Sequence, residues 1–215
     1  MNLVHAIFQP SGQGPYPTIL ALHGRGANAL DLLGLAPTIC NGRFLVICPQ
    51  APLEVPIGPG ATGYAWYSSA IPGNPDVQAL LSVRDQLKEF LDACLGSFQI
   101  NPRKLVALGF SQGGAMAYSL ALDQPKRFAA LVAMSSRLSP GLLDHTPSAS
   151  SAEGLPTLIQ HGTHDQTIGV DRGREAAETL RRLSIPVTYQ EYPMGHEISS
   201  RTLSDLSHWL EEKVL

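Results

Sequence analysis

The chain has 215 residues, of which 44% are hydrophobic and 15% charged, and its net charge is −3. That content suits one packed domain over residues 1–215 and excludes a disordered chain. The acidic balance, with no run of Lys or Arg, argues against nucleic acid and against an anionic membrane surface as partners.

Leu3–Phe8 reads as a short edge strand, turned by Pro10–Pro15, and Thr18–Leu22 as a clear strand. Asn28–Ile39 reads as a helix and Arg43–Cys48 as the next strand. Pro49–Pro75 holds six prolines and four glycines and reads as a loop. Asp76–Leu95 is an amphipathic helix, with Val77, Leu80, Leu81, Leu87, Leu91 and Leu95 near one face. Leu105–Leu108, Ala129–Met134, Thr157–Gln160 and Val187–Tyr192 follow as strands. Helices are expected at Gly114–Leu122, Val170–Leu183 and Ser199–Val214. Ser139–Gly154, rich in Ser, Pro and Ala, reads as a mobile loop. Alternating strands and helices imply an α/β fold. Its sheet should be mostly parallel, of about seven strands, with helices on both faces and no large cap domain.

Cys40, Cys48 and Cys94 are too sparse for a disulfide framework or a zinc cluster and read as core residues. The start of the chain lacks the basic and apolar regions of a signal peptide. No stretch approaches the roughly 20 apolar residues of a membrane helix. The expectation is a cytoplasmic protein with no stable membrane insertion.

Gly109-Phe-Ser-Gln-Gly113 fits G-x-S-x-G, a serine on a tight turn between a strand and a helix. Backbone crowding at such a turn favours glycine two residues before and two after the serine. The flanking apolar strand and helix supply the context that the pentapeptide alone lacks. A serine nucleophile needs a base, and the base needs a carboxylate, here in the chain order Ser, Asp/Glu, His. Asp165 follows the strand Thr157–Gln160 and His196 follows Val187–Tyr192. Both leave the strand edge on which Ser111 stands. Among the other histidines, His161 reads as a packed residue bonded to the backbone. His164 is too close to Asp165 to serve, and His145 and His208 lie in a loop and a terminal helix.

The oxyanion of acyl transfer needs two N–H donors. The backbone N–H of Gln112 supplies one, and the loop Leu22-His-Gly-Arg-Gly26 supplies the other through Arg25. The loop Pro49–Pro75 is expected to form one wall of an acyl pocket, where Tyr64, Trp66 and Tyr67 offer aromatic surface, and Met134 with the loop after Ser135 the other. Trp66 has a second reading, packing its loop onto the sheet. The Arg25 side chain either meets an anionic part of a substrate or points to solvent.

These segments resemble the small carboxylesterase/phospholipase family of α/β-hydrolases, which includes the acyl-protein thioesterases. The matching stretches are Leu22-His-Gly-Arg-Gly26, Pro49-Gln-Ala-Pro52, Ala65-Trp-Tyr67, Gly109-Phe-Ser-Gln-Gly-Gly114, His161-Gly-Thr-His-Asp165 and Tyr192-Pro-Met-Gly-His196. The resemblance implies a serine esterase of the α/β-hydrolase fold, without a cofactor, acting on carboxylic esters or thioesters. It implies the same triad and oxyanion donors, and often a homodimer. Two departures touch the substrate. The thioesterase-like loop resembles H-G-L-G-D where this chain has Arg25 and Ala27, and Trp66 is followed by Tyr67-Ser68 rather than Phe-Asp. The rival from another class is a non-catalytic binding protein on the same fold.

Overall fold

In the computed structural model, residues 3–68, 76–139, 141–146, 149 and 151–215 are described. Seven strands form the main sheet: β1 (His5–Phe8), β2 (Tyr16–Leu22), β3 (Leu45–Pro49), β6 (Ile100–Phe110), β7 (Ala130–Met134), β8 (Thr157–Gly162) and β9 (Val187–Tyr192). A separate two-stranded sheet pairs β4 (Leu53–Gly58) with β5 (Ala61–Ala65). The main order is β1-β3-β2-β6-β7-β8-β9, and only β1 runs antiparallel to its neighbour. This is the mostly parallel sheet expected from the sequence.

Each central strand is buried on both faces, as a parallel sheet under helices requires. Leu20, Leu105, Ala107, Leu131 and Ile159 point into the core beneath α1 (Val77–Ser97), α2 (Gln112–Asp123) and α3 (Val170–Arg182). Their neighbours Ile19, Val106, Val132 and Leu158 point the other way, against α4 (Ser200–Lys213) and the segment around Leu32 and Ile39. The helices begin where capping chemistry allows. Asp76 accepts from the N–H groups of Gln78 and Ala79, and Ser199 forms a reciprocal capping box with Thr202.

Two expectations need correction. Asn28–Ile39 is not an α-helix. It holds the 3-10 turn Leu32–Leu35, and a second turn, Ile39–Gly42, follows. Gly34 and Pro37 interrupt any helical ladder, and Cys40 and Asn41 adopt positive φ of 48° and 54°. Pro49–Pro75 is not all loop: its middle is the β4–β5 hairpin, and residues 69–75 lie outside the described residues. The segment Ser139–Gly154 is anchored at several described positions. Leu142, Ala149 and Ala152 join the core, while residues 140, 147, 148 and 150 lie outside the described residues.

Because β2, β6, β7, β8 and β9 are parallel, the loops leaving them gather at one edge. The Gly24–Ala27 loop follows β2 and Ser111 follows β6. Arg137 lies after β7, Asp165 after β8 and His196 after β9.

Candidate active site

Ser111 sits between β6 and α2 with φ 55° and ψ −117°. A non-glycine residue held there costs about 1–3 kcal/mol, so the surroundings must over-determine it. They do so by contact. A Cβ on Gly109 would overlap the Gly113 carbonyl, and one on Gly113 would overlap the Leu22 carbonyl. The strand and helix are that close, and glycine at both places is a steric condition. The Ser111 N–H donates to the Met134 carbonyl at 2.9 Å, and the Ser136 hydroxyl donates to the Ser111 carbonyl at 2.7 Å. The neighbouring β7 end therefore fixes the turn from both sides.

His196 lies 2.9 Å from Ser111 Oγ through Nε2 and 2.7 Å from Asp165 Oδ2 through Nδ1. A carboxylate only accepts, so Nδ1 carries the proton and Nε2 is free to accept from the serine hydroxyl. Oδ1 of Asp165 accepts from the N–H groups of Thr167 and Ile168, at 2.9 and 2.8 Å. The Asp165 side chain is fully buried, while part of the His196 side chain reaches solvent. The Phe110 ring lies 4.9 Å from the His196 ring, centroid to centroid, and limits its swing.

His161, fully buried, is 2.8 Å from the Ile168 carbonyl through Nε2 and 3.5 Å from Asp165 Oδ2. It braces the turn that holds Asp165. His145, His164 and His208 are exposed.

His23 props the loop after β2. Its Nε2 accepts from the Ala51 N–H at 3.1 Å, so Nδ1–H donates to the Gly24 carbonyl at 2.7 Å. Burial pushes its pKa below the ordinary 6.5, which favours the neutral ring this arrangement requires. In the same loop the Gly26 N–H donates to the Tyr64 carbonyl and the Ala27 N–H to the Gly24 carbonyl. The Gln112 N–H opens α2, where no preceding turn offers an acceptor. Arg25, Ser111 and Gln112 border one cleft of about 620 Å³.

A model of the phospholipase/carboxylesterase family matches residues 4–214. The chain belongs to the phospholipase/carboxylesterase family. Among curated relatives, acyl-protein thioesterase 1 of Mycosarcoma maydis is 26% identical, covering 95% of this chain and 94% of its own. A probable carboxylesterase, SOBER1-like, of Arabidopsis thaliana is 27% identical, covering 91% and 78%. Among solved structures, a carboxylesterase from Mesorhizobium loti superposes with a TM-score of 0.84 at 21% identity, covering 96% of this chain and 93% of its own. The Bacillus cereus carboxylesterase gives 0.81 at 21% identity, covering 99% and 95%.

In this family member the expected aromatic wall is only partly at the cleft. Tyr67 lines it. Trp66 does not: it is fully buried, and its indole N–H donates to the His23 carbonyl at 2.8 Å. An indole donor needs a buried acceptor, and that acceptor lies behind the cleft. Tyr64 acts through its backbone, exchanging hydrogen bonds with Gly26 and Ala27, and its side chain packs on the core. Met134 is also misplaced by the sequence reading. It is 2% exposed and packs on the α4 side of the sheet, because alternation along β7 turns it there.

Sequence reasoning missed the role of the Gln112 side chain, and it placed two walls by loop without naming the residues that form them. The Gln112 side chain ties the elbow to the hairpin's exit: Oε1 accepts from the Trp66 N–H at 2.8 Å, and Nε2 donates to the Tyr67 carbonyl at 2.7 Å. Leu53 and Val55 of β4 supply apolar wall. Arg137 lines the cleft from the loop after β7. None is announced by a motif, since each arrives through the tertiary path of its loop.

Proposed function

We propose that the protein is a serine hydrolase of carboxylic esters, with thioesters and lysophospholipids within reach of the same chemistry. The single observation that carries this reading is the continuous hydrogen-bonded line Ser111–His196–Asp165 at 2.9 and 2.7 Å. His196 Nε2 takes the Ser111 proton as Oγ attacks the substrate carbonyl, forming the new C–O bond. The negative charge passes to the carbonyl oxygen, held by the N–H groups of Arg25 and Gln112. As the tetrahedral centre collapses, the bond to the leaving oxygen or sulfur breaks, and that atom takes the proton from His196. Asp165 stabilises the imidazolium between these steps. Water then attacks the acyl-enzyme, gives its proton to His196, and releases the acid as Ser111 regains a proton.

The intact triad line supports an enzyme over a non-catalytic binding protein. Tyr67, Leu53 and Val55 give the cleft its apolar side. The family also carries a cytoplasmic homodimer into this reading, which light scattering of the purified protein checks.

The deciding experiment pairs 4-nitrophenyl ester turnover with labelling by a fluorophosphonate probe. Wild type should turn over and label, and Ser111→Ala should do neither. Full activity in Ser111→Ala overturns the assignment.

A further inference from the structure

We propose that the cleft selects esters bearing a negative charge away from the reacting carbonyl, with Arg25 and Arg137 as the specificity-determining side chains. The inference rests on the esterase reading and names its substrate class. Both guanidinium-bearing residues line the same cleft as Ser111. They approach from different elements, Arg25 from the loop after β2 and Arg137 from the loop after β7. Glu54 of β4 is the remaining charged residue on the lining. The cleft thus carries two cations against one carboxylate, in a chain whose net charge is −3.

Arg25 is exposed at the rim and has no carboxylate within ion-pair distance among the described residues. Arg137 is half-buried beside Tyr67. Burial lifts the Tyr67 phenol to about 12, and the Arg137 charge pulls against that rise. A guanidinium beside a desolvated wall binds a carboxylate better than one in open water, because screening is weaker and the planar fork matches two oxygens. The volume of about 620 Å³ accommodates a small ester together with such a group. The apolar side of the cleft takes the carbon chain, and the two arginines take its charged end.

The test compares esters matched in size, one of each pair carrying a negative charge, and reads how their ratio changes between variants. On the acyl side, mono-4-nitrophenyl glutarate is set against 4-nitrophenyl valerate. On the alcohol side, 4-acetoxybenzoate is set against 4-methylphenyl acetate. Spontaneous hydrolysis is subtracted throughout. In at least one pair, kcat/KM for the anionic ester should exceed the neutral one by about 10-fold, the size of one hydrogen bond to a charged group. That ratio should shrink in 0.5 M NaCl. It should fall by about 5-fold or more in Arg137→Gln and in Arg25→Gln, and rise in Glu54→Gln. Melting temperatures check that each variant is folded, and the ratio within one variant removes any general loss of activity. A wild-type preference for the neutral ester in both pairs overturns the inference. So does a preference unchanged in both arginine variants. Loss of every turnover together with absence of fluorophosphonate labelling overturns the esterase reading instead, and this inference with it.

Discussion

Asp165 gives each of its oxygens a separate task. Oδ2 faces His196 Nδ1 at 2.7 Å, while Oδ1 is held by the Thr167 and Ile168 N–H groups. The carboxylate therefore cannot rotate without losing bonds, and the ring it faces is fixed in one tautomer. Asp165→Asn should lower kcat by about 10⁴-fold, the effect of imposing the wrong histidine tautomer in a Ser-His-Asp triad. The fold should be retained by circular dichroism, and a loss below about 10-fold would separate Asp165 from the proposed chemistry. These three positions were legible in the chain because motif, order and strand ends all converge on them. The side chain of Gln112 was not, although it stands inside the motif. Its partners are the backbone of Trp66 and Tyr67, and nothing local ties residue 112 to them. Met134 shows the converse error: residue type suggested a pocket wall, and strand alternation sent its side chain into the core. Trp66 takes the second of its two readings, packed inward with its indole N–H on the His23 carbonyl.

At the scale of elements, the β4–β5 hairpin holds the loop proposed to carry an oxyanion donor. Its backbone closes on that loop through the Gly26 N–H to the Tyr64 carbonyl at 2.7 Å and the Tyr64 N–H to the Ala27 carbonyl at 2.9 Å. Gly63 lies against the same place, and a Cβ there would overlap the Gly26 backbone. Gly63→Ala must push the loop away and, with it, the Arg25 N–H proposed as an oxyanion donor. The expected result is a fall in kcat of up to about 10²-fold, as for loss of one oxyanion donor. The melting temperature should move by no more than about 4 °C, the effect of roughly 1 kcal/mol in a chain of this size. An unchanged kcat would show that the hairpin does not set the donor. The hairpin escaped sequence reading for a physical reason. It is a ribbon carrying Pro56 and the Gly58-Pro-Gly60 turn, with most of β4 exposed, so it lacks the apolar run that marks a buried strand. The strands β2, β7 and β8 announced themselves because both of their faces are covered.

Over the whole molecule, the two cores on either face of the sheet share a dependence on pH. Cys94 lies in one core, and Cys40 and Cys48 lie in the other. Burial raises the thiols of Cys40 and Cys94 to about 11 and that of Cys48 to about 12, from an ordinary value of 9.0. Burial likewise raises the phenols of Tyr118, Tyr189 and Tyr192. Each group keeps its proton in the folded chain at a pH where the unfolded chain has lost it. Above pH 9.0 the unfolded state therefore binds fewer protons, and stability falls as pH rises towards 11–12; below 9.0 this contribution is fully present. The urea midpoint should be flat between about pH 7 and 8.5 and drop by pH 10.5, with reductant present throughout. The same burial makes the three thiols unreactive while the chain is folded, since the thiolate is the nucleophile. Under native conditions a thiol reagent should then modify Cys40, Cys48 and Cys94 at one common rate, equal to that of global unfolding. A midpoint unchanged at pH 10.5 removes the linkage. One thiol reacting well ahead of the others would show that its side of the sheet opens by itself.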